Sequence, residues 1–128
     1  MIGIYINPEK IEFKKQLEDL FVKMDENKLR FTLNTGMRKY FKDEFSYEDP
    51  ATLVSGKDVV IVVGGDGTFL KLIQDTGALG GKYVLVNIGY VGFLSSFTLG
   101  EFLADLKNIL DRKNSFIRLP ILSISGAD

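Results

Sequence analysis

The chain has no cysteine and no histidine. The first absence removes thiol nucleophiles, disulfides and thiolate metal sites, and leaves the redox compartment unconstrained. The second requires any general base to be a carboxylate, a lysine, a tyrosine or the other substrate. Neither sign of charge is in excess. With 16 basic and 17 acidic side chains, the balance argues against electrostatic nucleic-acid binding. Short charge runs such as Arg38-Lys39 and Glu48-Asp49 read as solvated surface. No apolar stretch is long enough to span a bilayer, and Met1 leads into a strand-like run rather than a basic-then-apolar leader. A cytoplasmic protein without membrane or nucleic-acid partners is expected. At 128 residues the chain suits one domain with a real core and is small for a two-domain enzyme.

What the chain does have is concentrated in residues 59–70, VVIVVGGDGTFL. A continuous apolar run suits a strand covered on both faces. It passes directly into Gly64-Gly65-Asp66-Gly67-Thr68 and then into a helical pattern. Glycines remove the Cβ atoms that would keep phosphates away from the backbone. The loop N–H groups and the next helix N-terminus offer an anion donors and positive dipole. A carboxylate there repels phosphate unless a metal or a substrate hydroxyl answers it, so Asp66 reads as the base of a phosphoryl transfer. The plainer reading is a glycine-rich turn in which Asp66 caps the helix. The glycines do not form G-x-G-x-x-G, and no lysine followed by Ser or Thr closes the loop, which disfavours a dinucleotide fingerprint and an ordinary P-loop.

Along the chain, Ile2, Ile4 and Ile6 belong to a short strand closed by Asn7-Pro8, a turn and helix-start pair. Phe13, Leu17, Leu20, Phe21 and Met24 recur at helical spacing. Residues 29–33 suit a second strand. Residues 34–49 resist assignment, and their Tyr40, Phe41, Phe45 and Tyr47 are read as core rather than as a partner surface. Phe69, Leu72 and Ile73 mark one face of the helix after the glycine loop, residues 83–86 make the next buried strand, and Phe102, Leu103, Leu106, Ile109 and Leu110 define a third helix. Such alternation predicts an α/β fold, a parallel sheet with helices on its faces, and places ligands beyond the carboxyl ends of the strands. In the tail, Leu122 and Ile124 alternate with Ser123 and Ser125 after Pro120, which suits an edge strand or the start of a second domain.

A second glycine loop begins at Asn87, in Asn87-Ile88-Gly89-Tyr90-Val91-Gly92-Phe93-Leu94. Gly89 and Gly92 allow a tight excursion, and Phe93 offers a face on which adenine or nicotinamide can stack. The alternative is that Phe93 and Leu94 plug the core beneath the loop.

The two motifs together resemble the N-terminal domain of the NAD kinases. GGDGT followed by Phe69-Leu70-Lys71, with N-x-G-x-x-G-F-L some twenty residues on, carries the resemblance over essentially the whole chain. GGDGT alone is also similar to the loops of diacylglycerol and sphingosine kinases and of phosphofructokinases. The lipid kinases continue with an Asn-Glu pair and lack the G-F-L loop. The resemblance implies a Rossmann-like sheet with helices on both faces, truncated before the family's β-rich second domain. Residues 1–115 would form the GGDGT domain and residues 116–128 a strand leading toward the second. That domain's Asn-Glu or Asn-Asp pair, D-G motif and T-P-T-G-S-T-like segment are not in this sequence.

The same resemblance implies an activity, the phosphorylation of the 2′-hydroxyl of the adenosine ribose of NAD to give NADP. Magnesium-bound ATP, or polyphosphate in some members, would be the donor. Asp66 would take the ribose proton, and Gly64, Gly65, Gly67 and Thr68 would hold phosphates. Lys71, one helical turn on, would reach a phosphate or ribose group, or else be a surface lysine. Asn87, Gly89, Gly92, Phe93 and Leu94 would line the NAD pocket. Arg118 resembles an arginine at the start of the second domain. No residue is assigned to a protein-held metal. The intact enzyme would be a homo-oligomer, dimer or tetramer. Two alternatives remain open, a GGDGT-type lipid or sugar kinase and a noncatalytic nucleotide-binding module.

Overall fold

The computed structural model describes residues 1–77, 81–88 and 97–111. Its strands form a six-stranded sheet in which every pairing is parallel. They are β1 (Ile2–Ile6), β2 (Phe31–Asn34), β3 (Tyr47–Glu48), β4 (Val59–Val63), β5 (Tyr83–Asn87) and β6 (Phe97–Thr98), in the spatial order β3-β2-β1-β4-β5-β6. The chain builds outward from β1 in one direction, then returns to lay β4 on the other side of β1. Between β1 and β4 the order reverses, which is where doubly wound sheets open a crevice at their carboxyl ends.

Alternation along the strands sends side chains to two cores. Ile2, Ile4, Ile6, Val59, Ile61, Val63, Val84 and Val86 face one way, into a cluster with α1 (Lys14–Glu26), α4 (Leu99–Ala104) and α5 (Leu106–Asp111). Val60, Val62, Tyr83 and Leu85 face the other way, under α3 (Asp66–Thr76). The short α2 (Pro50–Leu53) packs on that same layer, against β1 and α3. All five side chains of β4 are buried, as are all five of β5, which accounts for their unbroken apolar or near-apolar runs.

Three segments differ from the sequence expectation or complete it. The second strand begins at Phe31 rather than 29 because α1 closes through Lys28, at φ 57°, and through Leu29 N donating to Met24 O at 2.9 Å. That closure takes up the residues before Phe31. The segment 34–49 holds a 3₁₀ turn, Thr35–Met37, and the edge strand β3. Its Tyr40, Phe41, Phe45 and Tyr47 pack partly buried against the larger core, as expected. Phe21 is the hub, with ring centroids 5.4, 5.0 and 5.4 Å from those of Phe31, Phe41 and Phe45. The third helix is two helices, broken at Asp105, whose backbone leaves helical geometry at φ −141°, ψ 34°. Asp105 accepts from Asn108 Nδ2 at 2.7 Å, and its carbonyl accepts from Ile109 N at 2.9 Å. Aspartate is a poor interior residue and a good cap, so one apolar stripe is split between two axes.

Candidate functional site

The sequence-predicted loop lies where β4 ends beside β1. Gly64 N donates to Val86 O at 3.0 Å and Asn7 N donates to Val63 O at 3.0 Å, so the ladder runs past the strand ends on both sides of β4. The backbone at Gly64 has φ 156°, a conformation side chains rarely adopt, and a Cβ there would lie 2.7 Å from Thr68 Oγ1. Glycine at 64 is therefore required by the fold itself. Gly67 differs. It is exposed, and a Cβ there would meet nothing within 4 Å among the described residues. A glycine in the first turn of a helix weakens that helix, so no packing reason within the described protein accounts for it.

Gly65 is the N-cap of α3, and Asp66, Gly67 and Thr68 are its first three residues. The first helical hydrogen bond runs from Phe69 N to Gly65 O at 3.3 Å, so the N–H groups of Gly67 and Thr68 have no acceptor within the helix. Asp66, half-buried at N1, sits at the positive end of the helix dipole. Beneath the loop, Phe69 is fully buried and meets Tyr83 edge to face at 5.3 Å, which ties α3 to β5. Burial pushes the Tyr83 hydroxyl above its ordinary pKa.

Lys71 has an exposed side chain, with Nζ 3.4 Å from Asp75 Oδ2 one turn further along α3. The ammonium is thus turned toward the helix C-terminus. An exposed pair of this spacing contributes only a few tenths of a kcal/mol, so the side chain is held there weakly. Tyr5 of β1 lies near both groups. Burial raises its hydroxyl pKa most, with Asp75 raising it further and Lys71 lowering it.

A row of asparagines stands at the strand ends, of which sequence reasoning named Asn87 as a site residue and passed over Asn34 and Asn7 in that role. Asn34, at the end of β2, is buried, and its Oδ1 accepts from Ile6 N at 3.0 Å while its Nδ2 donates to Ile6 O at 3.1 Å. Asn87, at the end of β5, is equally buried. Asn7, just past β1, donates from Nδ2 to Thr68 Oγ1 at 2.9 Å and accepts from Glu9 N through Oδ1 at 3.0 Å. The available signal for Asn7 was its position, immediately after a buried strand and before a proline. It read as a turn and helix start, and it is that as well. Gly64, Gly65, Asp66, Gly67 and Thr68 come together with Asn7 at the β1–β4 reversal. Asn87 ends the neighbouring strand. Gly89, Gly92, Phe93, Leu94 and Arg118 lie outside the described residues, as does the predicted tail strand.

Among the described residues, no group of three or more acidic side chains is placed to hold a metal ion, and no helix is long and apolar enough to cross a membrane.

Comparison with known proteins finds relatives of one family. The NAD kinase of Clostridium beijerinckii is 29% identical over 117 residues, covering 91% of this chain and 38% of that protein. The NAD kinase of Ruminiclostridium cellulolyticum is 28% identical over 112 residues, covering 88% and 39%. That of Thermotoga neapolitana is 40% identical over 78 residues, covering 57% and 30%. The chain thus spans well under half the length of these relatives. The crystal structure of yeast NADH kinase complexed with NADH shares the fold, with a TM-score of 0.65 at 16% identity over 86% of this chain and 38% of that one. Residues 2–114 match the ATP-NAD kinase N-terminal domain, and the chain belongs to the NAD kinase family.

Proposed function

We propose that this chain supplies the phosphate loop and the base of an enzyme that phosphorylates NAD to NADP. The observation that carries the reading is a carboxylate, Asp66, at the first turn of α3, inside a glycine loop at the sheet's reversal point. In the reaction, Asp66 takes the proton of the ribose 2′-hydroxyl as its oxygen forms a bond to the γ-phosphorus of ATP. The bond from that phosphorus to the β,γ-bridging oxygen breaks, and ADP leaves. Gly64, Gly65, Gly67 and Thr68 hold phosphates, with α3's dipole aligned to them. Lys71, released from its weak pair with Asp75, reaches a phosphate or ribose oxygen. Asn87, Gly89, Gly92, Phe93 and Leu94 line the NAD pocket.

Magnesium enters as part of the substrate, MgATP, and offsets the charge brought together by Asp66 and the triphosphate. ATP or polyphosphate as donor, residues 116–128 as a strand leading from the 1–115 domain toward a β-rich second one, a dimer or tetramer, and a cytoplasmic site of action all belong to this proposal. The test is NADP formation by the protein expressed from its whole reading frame, supplied with NAD, MgATP or polyphosphate and read by an NADP-specific dehydrogenase. NADP that appears only with a phosphoryl donor supports the reading. Phosphorylation of diacylglycerol or fructose 6-phosphate with none of NAD replaces it.

A further inference from the structure

We propose that Asn7 is a positioning residue that aims the Thr68 hydroxyl at a phosphate of the bound nucleotide. The inference rests on reading the glycine loop as a phosphate site, and adds to it a residue 61 positions away in sequence.

Hydrogen-bond directions decide the case. Glu9 N donates to Asn7 Oδ1 at 3.0 Å, which identifies that atom as the amide oxygen. The other end of the amide is then the NH₂, and it donates to Thr68 Oγ1 at 2.9 Å. A hydroxyl carries one hydrogen and two lone pairs. With a lone pair already taken by Asn7, the hydroxyl hydrogen is left to point elsewhere. Gly64 lacks the Cβ that would lie 2.7 Å from Oγ1, so the Thr68 hydroxyl can hold this place because residue 64 is glycine. Asn7 is itself locked, its backbone N bonded to Val63 O at 3.0 Å and its side chain capping the 3₁₀ turn Pro8–Phe13. The arrangement fixes Thr68 as a donor at the first turn of α3, the polarity an anionic phosphate oxygen needs.

Reversing the polarity is the sharpest test. Asn7→Asp keeps an acceptor for Glu9 N but can no longer donate, so the Thr68 hydroxyl must turn its hydrogen toward residue 7. Asn7→Ala removes the link without reversing it. A structural role ranks both measurements alike, with Asn7→Ala the more damaged in melting temperature and in binding. The positioning role separates them: Asn7→Ala loses more melting temperature, whereas Asn7→Asp loses more affinity. The cycle Asn7→Asp, Thr68→Val and the double variant is measured by calorimetry with MgATP and with NAD, on the protein expressed from its whole reading frame. Each single change is expected to weaken one nucleotide by roughly tenfold to a hundredfold. The double variant is expected to bind no worse than Thr68→Val alone, because the hydroxyl through which Asn7 acts is gone.

Coupling with either nucleotide supports the proposal and tells which phosphate is held. An Asn7→Asp loss that persists undiminished beside Thr68→Val would mean simple charge repulsion, and overturns it. So does wild-type affinity in Asn7→Asp, or wild-type protein that binds neither nucleotide. NADP formation by the wild type is scored separately. Coupling without NADP formation keeps the role of Asn7 and removes the kinase reading, whereas NADP formation without coupling does the reverse.

Discussion

The two ends of the parallel sheet carry polar groups of opposite kinds. At the amino end, two cavities of about 580 and 480 Å³ open beside the strand starts and share Met1, Lys28, Leu29 and Arg30 in their walls. Their charged side chains are exposed, and the Met1 ammonium binds Asp58 at 2.7 Å in the open. At the carboxyl end the groups are short and tied to backbone. Asn34 clasps Ile6, Asn7 holds Thr68, and Gly64 leaves beside the Thr68 hydroxyl the space a Cβ would take. The first end offers volume and exposed charge, the second offers side chains whose hydrogen bonds are already set. Phosphoryl transfer is governed by positioning and preorganised electrostatics, which volume alone does not provide. Both of these hollows lie away from the proposed chemistry.

Four changes would break or sharpen that contrast. The largest effect is expected from Asp66→Asn, which keeps the size of the side chain and removes the base. NADP formation should fall by roughly 10²- to 10⁴-fold with the circular dichroism spectrum unchanged. Turnover near that of the wild type would remove Asp66 from the mechanism.

Next come the two loop glycines, which should respond in opposite directions. Gly64→Ala places a methyl against the pinned Thr68 hydroxyl in a backbone conformation hostile to side chains, and a loss of about 1–3 kcal/mol is expected in denaturant melts. Gly67→Ala meets open space in a helix, and should stabilise the protein by up to about 1 kcal/mol while weakening nucleotide binding. If Gly67→Ala binds ATP and NAD as the wild type does, close approach of a ligand to that backbone is excluded.

The smallest effect belongs to the amino end. Hydrogen bonding and attraction from the Met1 ammonium hold the Asp58 carboxyl below its ordinary pKa. What the pair contributes is therefore present above the ordinary aspartate range and lost as pH falls through the lowered value. Asp58→Asn should leave nucleotide binding and NADP formation intact, with any difference in melting temperature vanishing in acid. A clear loss of activity would give the amino end a role that the contrast denies it.

Much of this protein is legible in local pattern. The unbroken apolar run of β4 and the near-continuous one of β5, the stripe of Leu17, Leu20, Phe21 and Met24, and the glycine loop following β4 are all found where the sequence places them. Those elements depend on spacings of two to four residues, which a single stretch of chain displays. Local pattern misled where one side chain had two uses. The stripe ending at Leu110 predicts a single helix, but the backbone leaves helical geometry at Asp105, which accepts a bond from the Asn108 side chain.

The sequence by itself narrowed the candidates for a base on this chain, which has no histidine or cysteine and carries one carboxylate in its glycine loop. It also determined the layers, because continuous apolar strands need helices on both faces. Tertiary structure alone decided the strand order, the reversal between β1 and β4, and hence that Asn7 meets Thr68 across 61 residues. The physical reason is range. Periodicity reports which face of an element is buried, whereas the partner it is buried against follows from how the whole chain closes its sheet.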